Sequence, residues 1–531
     1  MIFFPFLVHF ANFQRFATHK TFPYLIYDAI QLRKSSLGHH LLVKRQDWES
    51  TLSDIQFLTA DGLRQAATAF ENGQTIQNPA IFRLLRKVSA IGNVVPQSFA
   101  QKRMMRSHMT GIQVREGAAI WWLTINPSDL KNPIILRLAG IEFGSDALPQ
   151  STATILKTVA TSNPVAVAQF FHVTCCAIFD GLLRSHSTEM GVLGQISNHY
   201  GVVESNGRGM LHLHALLWAE GNLGFTKIRD RVLNDNDFAK RMINFLESVI
   251  MQSVQSVQHD TNLPLRVDTF SKIDDSDDSF HSKLTADSNA VASKVQIHSS
   301  SHSSTCFKYG RKNSCRFNMP RKLVPTSYVD KYGVIHIARH NEWVVPWNPA
   351  ITTCLRSNHD ISSVPTVSKS LALLYYLTNY STKDDISPQQ ILLKAALLKD
   401  CAEIAKNSPE QDVGNNDTVT NFLLRNFNML SQDREVSGVQ IASSLLQLPS
   451  YYTAHDNFVG VYLPSLRQHV RDAITSFQFR PDDDVNNEQC LLGEGTDSRP
   501  VSRFDDYKWR GDDLSLCFYE YSIIARTTPS S

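Results

Sequence analysis

The sequence predicts an α+β fold with an antiparallel sheet in its middle and helical regions on either side. Apolar residues recur at helical spacing before about residue 115 and again from 391 to 475. Between these regions, β-rich segments at 119–125, 200–206 and 211–218 are bounded by Gly, Pro or polar residues, which is typical of strands. We therefore expect helices to surround a small sheet.

Length and composition bound the class of protein. The chain has 531 residues, 42% of them hydrophobic and 19% charged, which excludes disordered and fibrous classes and suggests roughly two to four domains. The net charge of +2 indicates no partner by itself. Eight cysteines suit a reducing compartment. The opening "MIFFPFLVHF" has no basic start typical of a signal peptide, and the longest apolar helical stretch carries Gln169, His172 and Asp180, so no membrane span is expected.

The N-terminal region, residues 1–115, is predicted to be mostly helical, with a basic stretch in its second half. No acidic residue occurs between Asn72 and Arg115. The candidate DNA-binding residues there are Arg83, Arg86, Lys87, Lys102, Arg103 and Arg106. A stretch that carries only positive charges predicts contact with phosphates. The alternative is a basic helix face that is simply solvated.

The middle of the chain supplies the predicted sheet. "AIWWLTINPSDL" reads as a strand that stops at Asn126-Pro127, because proline cannot donate a hydrogen bond to a neighbouring strand. "SNPVAVAQFFHVTCCAIFDGLL" predicts a buried helix with Pro164 at its first position. "YGVVESN" and "LHLHALLW" are joined by a short Gly-rich connection and predict a hairpin.

Two histidines on that hairpin form a candidate metal site. In a strand, His212 and His214 share one face, and Glu204 on the neighbouring strand can reach the same ion. A pair of half-buried histidines satisfied by hydrogen bonds is the commoner arrangement, but Glu204 favours the metal. Two imidazoles and one carboxylate leave open positions, where a divalent ion can polarise a phosphate oxygen.

The segment "YYLTNYSTK" carries a second chemical signal. On a helix, Tyr376 and Tyr380 lie one turn apart on one face, and Lys383 follows on the same side. Aromatic residues at this spacing are usually core. A tyrosine can also act as a covalent nucleophile when a cation stabilises its phenolate.

A Ser-rich insertion, residues 272–325, ends in a candidate zinc site. His298, His302, Cys306 and Cys315 offer two imidazoles and two thiols in a loop that has little core of its own. Lys308, Arg311 and Lys312 stand among them and are candidate DNA contacts. The alternative is a plain basic loop with unligated thiols.

The ordered set "WWLTINPSDL", "GRGMLHLHALLW" and "YYLTNYSTK" resembles the motifs of rolling-circle replication initiators, the His-hydrophobic-His endonucleases. The chain is most similar to the replication-initiator region of Helitron transposons, of the fungal type. The similarity continues in "CRFNMPRKLVP", "CLRSNHDI" and "PSYYTAHDNFVGVYLPSL" and spans nearly the whole chain.

This resemblance implies a site and a reaction. His212, His214 and Glu204 correspond to ligands of Mg²⁺ or Mn²⁺, and Tyr376 and Tyr380 correspond to nucleophiles that form a phosphotyrosine intermediate with single-stranded DNA. Lys383 matches the family pattern, whereas Asn379 stands where the family often has a lysine. The implied core is a ferredoxin-like sheet. The implied function is nicking and rejoining of DNA in rolling-circle transposition, in the nucleus.

The resemblance also predicts the organisation of the chain. We expect a helical region at 1–115, a nuclease core at 116–390, a helical region at 391–480 and an extended tail at 481–531. No G-x-x-x-x-G-K-[ST] stretch occurs, so we expect any helicase to be a separately encoded partner. The alternative function is a catalytically inactive DNA-binding remnant of a truncated Helitron transposase.

Overall fold

The computed structural model describes part of the chain in detail. The described residues are 18–43, 48–74, 78–127, 130, 132–141, 152–185, 187–206, 208–254, 279–302, 306–307, 315–364, 369, 372–373, 376–377, 387–406, 415–455, 458–462 and 521–525. They group into two compact units. The first comprises Met1–Arg106 and Glu116–Ala454, and the second comprises Ser107–Arg115 and His455–Ser531.

Helices dominate the described residues. They are α1 (Phe22–Val43), α2 (Trp48–Gln56), α3 (Ala60–Glu71), α4 (Pro79–Ile91), α5 (Phe99–Glu116), α6 (Ile134–Leu138), α7 (Thr152–Ser162), α8 (Pro164–Cys176), α9 (Phe225–Asn234), α10 (Asn236–Val249), α11 (Phe280–Val295), α12 (Pro349–Leu355), α13 (Pro388–Lys406), α14 (Asn415–Gln432) and α15 (Gly438–Leu445).

The strands are β1 (Trp121–Ile125), β2 (Ile196–Ser205), β3 (Leu211–Ala219), β4 (Tyr328–Val329), β5 (Ile335–His336), β6 (His359–Ser363), β7 (Tyr451–Thr453), β8 (Phe458–Tyr462) and β9 (Tyr521–Ala525). Five of them form an antiparallel sheet in the order β6-β1-β3-β2-β7. Without β7, that order is 4-1-3-2 in chain sequence, the order of a ferredoxin-like sheet. The predicted α+β fold and the β2–β3 hairpin are confirmed.

The two faces of this sheet differ in chemistry. Leu123, Leu213 and Ala215 point to one face and are fully buried against α8 and its neighbours. The opposite face carries polar groups, because the register pairs Glu204 with His212 and Thr124 with both His214 and Asp360. The period-2 alternation of each strand therefore separates a packed core from a polar face.

Helix α8 begins where the sequence predicts. The Asn163 side chain caps it by accepting a hydrogen bond from the amide of Ala166 at 3.0 Å, and Pro164 occupies its first turn. By length and composition, Pro164–Leu182 is the one stretch in the described part of the chain that is apolar enough to cross a membrane, and 56% of it is buried inside the protein. Core helices pass the same test.

A second core joins two regions that are far apart in sequence. Apolar residues of α2, α3 and α4, such as Leu63 and Leu84, pack with Leu392 of α13 and with Leu423 and Phe427 of α14. Burying each such side chain contributes about 1.5–3 kcal/mol. The predicted N-terminal and C-terminal helical regions therefore share one core.

Residues 319–343 fold as an irregular antiparallel ribbon, which we call the ribbon. The amide of Arg321 donates to the carbonyl of Glu342 at 2.9 Å, and Val324 and Arg339 exchange backbone hydrogen bonds of 3.0 and 2.8 Å. Strands β4 and β5 pair near the tip, where Asp330 and Val334 close the turn.

The second unit contains a small sheet of its own. Strand β8 pairs with β9 in antiparallel register, Phe458 opposite Ala525, and the His108 ring stacks on Phe458 with centroids 3.8 Å apart. Strand β9 lies within the segment 481–531 that was expected to be an extended tail.

Candidate functional site

The first candidate site lies on the polar face of the sheet. His212 and Glu204 stand directly opposite each other on β3 and β2, and His214 follows two residues along β3. The Nε2 atoms of His212 and His214 lie 3.2 and 3.4 Å from the same Glu204 oxygen, Oε2. The three donor atoms lie within 4.8 Å of one another, so this group can hold a metal ion.

Burial and charge set the protonation of this site. Burial opposes ionisation of Glu204, but the hydrogen bonds and charges of the two histidines outweigh it and lower the pKa of Glu204 to about 2. Burial also lowers the pKa of His214, against the opposing effect of Glu204. An ionised carboxylate and a neutral imidazole are the forms that bind metals. The residues present therefore fit a divalent cation.

Two residues of β1 support His214. Thr124 Oγ1 lies 3.0 Å from His214 Nδ1. When the hydroxyl accepts from Nδ1–H, the lone pair of Nε2 points toward the shared site. The Trp122 ring stacks on His214 with centroids 5.4 Å apart. The sequence prediction missed both roles, although period-2 spacing in "WWLTI" places these two residues on one face.

The structure brings Tyr376 to the same place. Its ring meets His214 edge-on with centroids 6.0 Å apart, and it meets Trp122 at 5.6 Å. The side chain is 40% exposed, while the next residue, Leu377, is fully buried. The phenol therefore stands beside the imidazole pair and is open to solvent. Tyr380, Lys383 and Tyr375 lie outside the described residues.

A charged cluster lies at the edge of the same sheet face. Burial raises the pKa of Asp360, while the positive charges of Arg321, Lys369 and Arg339 oppose that rise. Lys369 Nζ also donates to the carbonyl of Ser363 at 3.2 Å. Lys369 stands seven residues before Tyr376 in the sequence, and the described positions of this segment, 369, 372, 373, 376 and 377, are helical. The sequence prediction missed this cluster.

The second candidate metal site assembles at the base of the ribbon. His298 Nε2 lies 3.6 Å from both Cys306 Sγ and Cys315 Sγ, and 3.2 Å from His302 Nδ1. Both cysteines are buried. The four donor atoms all lie within 4.8 Å, so these residues can hold a metal ion, and two thiols with two imidazoles suit zinc chemically. His298 contacts all three of the other members.

The predicted DNA-binding residues differ in their surroundings. Arg83 pairs with Asp54 at 2.5 Å, and Arg86 and Arg103 are exposed, while Lys102 and Arg106 are partly buried. Lys87 is only 5% exposed, because it lies on the same helical face as Leu84, Val88 and Ile91. Lys87 therefore offers little surface to a phosphate in this conformation, in contrast to the exposed Arg86 and Arg103. Lys308, Arg311 and Lys312 lie outside the described residues.

Comparison with known families adds an independent observation. Residues 4–217 match the family model described as the Helitron helicase-like domain at the N-terminus. This match supports a Helitron-related protein. It likewise supports a transposon-associated function for the Helitron-related chain. The matched part includes Glu204, His212 and His214, and it ends before Tyr376 and the His/Cys cluster. No curated protein matches the chain.

Proposed function

We propose that this Helitron-related chain is a metal-dependent tyrosine endonuclease and strand transferase acting on single-stranded DNA. The observation that carries the proposal is the contact of Tyr376 with His214, on the sheet face where Glu204 and His212 complete a donor set. A nucleophile, a cation site and an open surface at one position are what phosphodiester cleavage requires. Nuclear DNA at transposon ends is the proposed substrate.

Each residue of the proposed site has a separate role. Glu204, His212 and His214 would hold a Mg²⁺ or Mn²⁺ ion, whose charge would polarise a phosphate oxygen. Thr124 fixes the tautomer of His214, so that Nε2 faces the ion. Trp122 packs against both His214 and Tyr376 and keeps their rings in contact.

The covalent step conserves the number of phosphodiester bonds. The Tyr376 phenol loses its proton to solvent, and its oxygen attacks phosphorus. The bond to the 3′ oxygen breaks, and that oxygen leaves and takes up a proton. The products are a 5′-phosphotyrosyl link and a free 3′-hydroxyl. Since the link retains the energy of the broken bond, a second 3′-hydroxyl can reverse the step and join strands without ATP. Tyr380 is the proposed second nucleophile, and Lys383 the proposed partner of a phenolate.

A covalent adduct assay tests the proposal. The purified full chain is incubated with 5′- and 3′-labelled single-stranded oligonucleotides and Mn²⁺, and adducts are separated on denaturing gels. We expect an adduct that carries the label 3′ of the nick and that Tyr376→Phe reduces at least 100-fold. Tyr24→Phe is the matched control, because this tyrosine is 46% exposed and lies on α1, outside both the sheet and the ribbon.

The same assay separates the proposal from its alternative. A chain that binds single-stranded DNA but gives no adduct across varied sequences and both metals is a DNA-binding remnant. If the adduct persists in Tyr376→Phe but disappears in Tyr380→Phe, Tyr380 is the nucleophile and the proposed reaction is otherwise unchanged.

A further inference from the structure

The ribbon and the residues at its base carry aromatic side chains that are exposed to solvent rather than packed in a core. Tyr332 is 65% exposed, Tyr328 is 47% exposed and Phe317 is 44% exposed. Large apolar rings held in solvent favour a binding surface when several occur on one short segment.

Each of these rings has a polar partner on one side. Arg316 lies over the Phe317 ring at 4.4 Å, and Lys331 lies over Tyr332 at 4.9 Å. Tyr328 stacks on the His336 ring with centroids 4.8 Å apart. Rings flanked by cations offer one flat surface for stacking and a positive charge beside it.

The charge of this part of the sequence is strongly one-sided. Between Cys306 and Trp343 there are eight basic residues against two acidic ones, Asp330 and Glu342. The basic residues are Lys308, Arg311, Lys312, Arg316, Arg321, Lys322, Lys331 and Arg339. The excess of six positive charges compares with +2 for the whole chain, so the complementary ligand is a polyanion.

The tip of the ribbon is held in place before any ligand binds. Asp330 Oδ1 accepts from the amides of Tyr332 and Val334 at 2.9 and 3.0 Å, and Oδ2 pairs with His336 Nε2 at 3.0 Å. His336 in turn lies under Tyr328. One carboxylate therefore fixes the turn that carries Tyr332 and the ring that supports Tyr328.

Contacts with α9 and α10 fix the ribbon to the rest of its unit. Gly333 has φ +76°, and a Cβ there would lie 2.5 Å from Arg229 Cγ, so only glycine allows this approach to α9. Ser327 Oγ accepts from the amide of Ala338 at 2.7 Å and donates to Glu247 of α10. A surface with little freedom to lose on binding is suited to recognition.

We propose that the ribbon, together with Arg316 at its base, is a single-stranded DNA-binding arm. Bases stack on Tyr328 and Tyr332, and Lys331, Lys322 and Arg316 contact the phosphates. The proposal rests on the proposed function for its choice of DNA. Single strands expose base faces, whereas a duplex hides them, so exposed rings favour the single strand over a duplex.

Binding measured apart from cleavage tests this arm. The full chain is titrated into fluorescein-labelled dT20, without Mg²⁺ or Mn²⁺, and the dissociation constant Kd is read from fluorescence anisotropy. We expect Tyr328→Ala and Tyr332→Ala each to raise Kd by about 5- to 100-fold, the loss expected for one stacked base. Tyr332→Phe keeps the ring and retains wild-type Kd.

Charge and fold are checked with further variants. Lys331→Gln is expected to reduce the slope of log Kd against log salt by about 0.7, as for one phosphate contact on a single strand. Phe57→Ala is the matched control, because this side chain is an aromatic 80% exposed and lies outside the ribbon. Melting curves by circular dichroism confirm that each variant folds.

The outcomes separate this proposal from the nuclease proposal. If Tyr328→Ala and Tyr332→Ala bind dT20 as tightly as Phe57→Ala does, the arm is wrong, whatever the adduct assay gives. If they lose affinity for a 20-base-pair duplex as much as for dT20, the ribbon reads duplex DNA instead. A wild-type chain that gives no adduct, while these variants still bind dT20 weakly, overturns the nuclease proposal alone.

Discussion

At the scale of single residues, Thr124 orients His214 in the candidate metal site. Its hydroxyl lies 3.0 Å from the Nδ1 atom of the imidazole. An outer hydrogen bond of this kind fixes both the tautomer and the angle of the ring. The threonine therefore supports the candidate metal site from outside the donor set of Glu204, His212 and His214.

Replacement of this hydroxyl should weaken metal binding without unfolding the sheet. We expect Thr124→Val to raise the Kd for Mn²⁺ by roughly 10- to 100-fold. Isothermal titration with Mn²⁺ measures the effect. Thr124→Ser keeps the hydroxyl and should restore binding, and an equal loss in both variants would contradict the role of the hydroxyl.

At the scale of elements, β6 is held by a buried polar network around His359. His359 Nδ1 donates to the Gln296 amide oxygen at 2.9 Å, and Nε2 accepts from the amide of Asn348 at 2.9 Å. These bonds join the strand to the residues that follow α11 and precede α12. Burial lowers the pKa of His359 to about 3, so the ring stays neutral in the folded protein.

This network makes stability depend on pH in a defined direction. Below about pH 6.5 the unfolded chain protonates His359 and the folded chain does not, so stability falls as the pH drops from 6.5 toward 3. The limiting slope for one such proton is about 1.4 kcal/mol per pH unit. Urea unfolding at pH 7.5, 6.0 and 5.0 measures it. His359→Gln should flatten the dependence by that amount, whereas His340→Gln, at an exposed histidine, should not.

The segment that carries Tyr376 is tied to β6 by a charged pair. Lys369 donates to the Ser363 carbonyl and lies within the field of Asp360. Lys369 is exposed and Asp360 is partly buried, so removing the lysine alone leaves the carboxylate with less positive charge beside it, whereas removing both charges does not. We therefore expect Lys369 to act as a positioning residue for Tyr376 in the proposed reaction, without touching the substrate.

Variants of this pair should slow cleavage more than they weaken binding. We expect Lys369→Met to reduce the single-turnover rate of adduct formation at least tenfold while changing the Kd for Mn²⁺ less than twofold. The double variant with Asp360→Asn should recover part of the melting temperature. Lys394→Met removes a different ion pair, with Asp433 at 2.9 Å, and serves as the control. A Lys369→Met rate equal to that of Lys394→Met would exclude the positioning role.

At the scale of the whole molecule, the sequence predicts the candidate site residues better than it predicts which helices and strands pack against one another. Alternation in "LHLHALLW" places His212 and His214 on one face, and the order of motifs associates them with Tyr376. Periodicity gives the apolar face of a helix but not what covers it, so the core shared by α2–α4 with α13 and α14 was not foreseen. The same limit explains why the burial of Lys87 was not predicted, since its helical position faces the core. It also explains why the charged cluster around Asp360 was not predicted, since the neighbours of Asp360 come from strand register and from distant loops.

The His/Cys cluster is a second candidate metal site, separate from the one on the sheet. Its four donors join the residues after α11 to the base of the ribbon, and the surrounding apolar cluster contains little besides Met319 and partly buried Phe307, Trp343 and Val345. A region with so small a core needs another source of stability, which bound zinc can supply.

Removal of this metal should therefore loosen the ribbon and leave the sheet folded. We expect Cys306→Ser with Cys315→Ser to lose one bound zinc per chain, measured by mass spectrometry of the metal content, and to speed tryptic cleavage at Lys322 and Lys331. Circular dichroism should change little, because α8 and the five-stranded sheet pack in a separate core. Cys401→Ser, at an exposed thiol of α13, is the control. Unchanged zinc content in the double variant would contradict the assignment, and global unfolding would show that the cluster supports more than the ribbon.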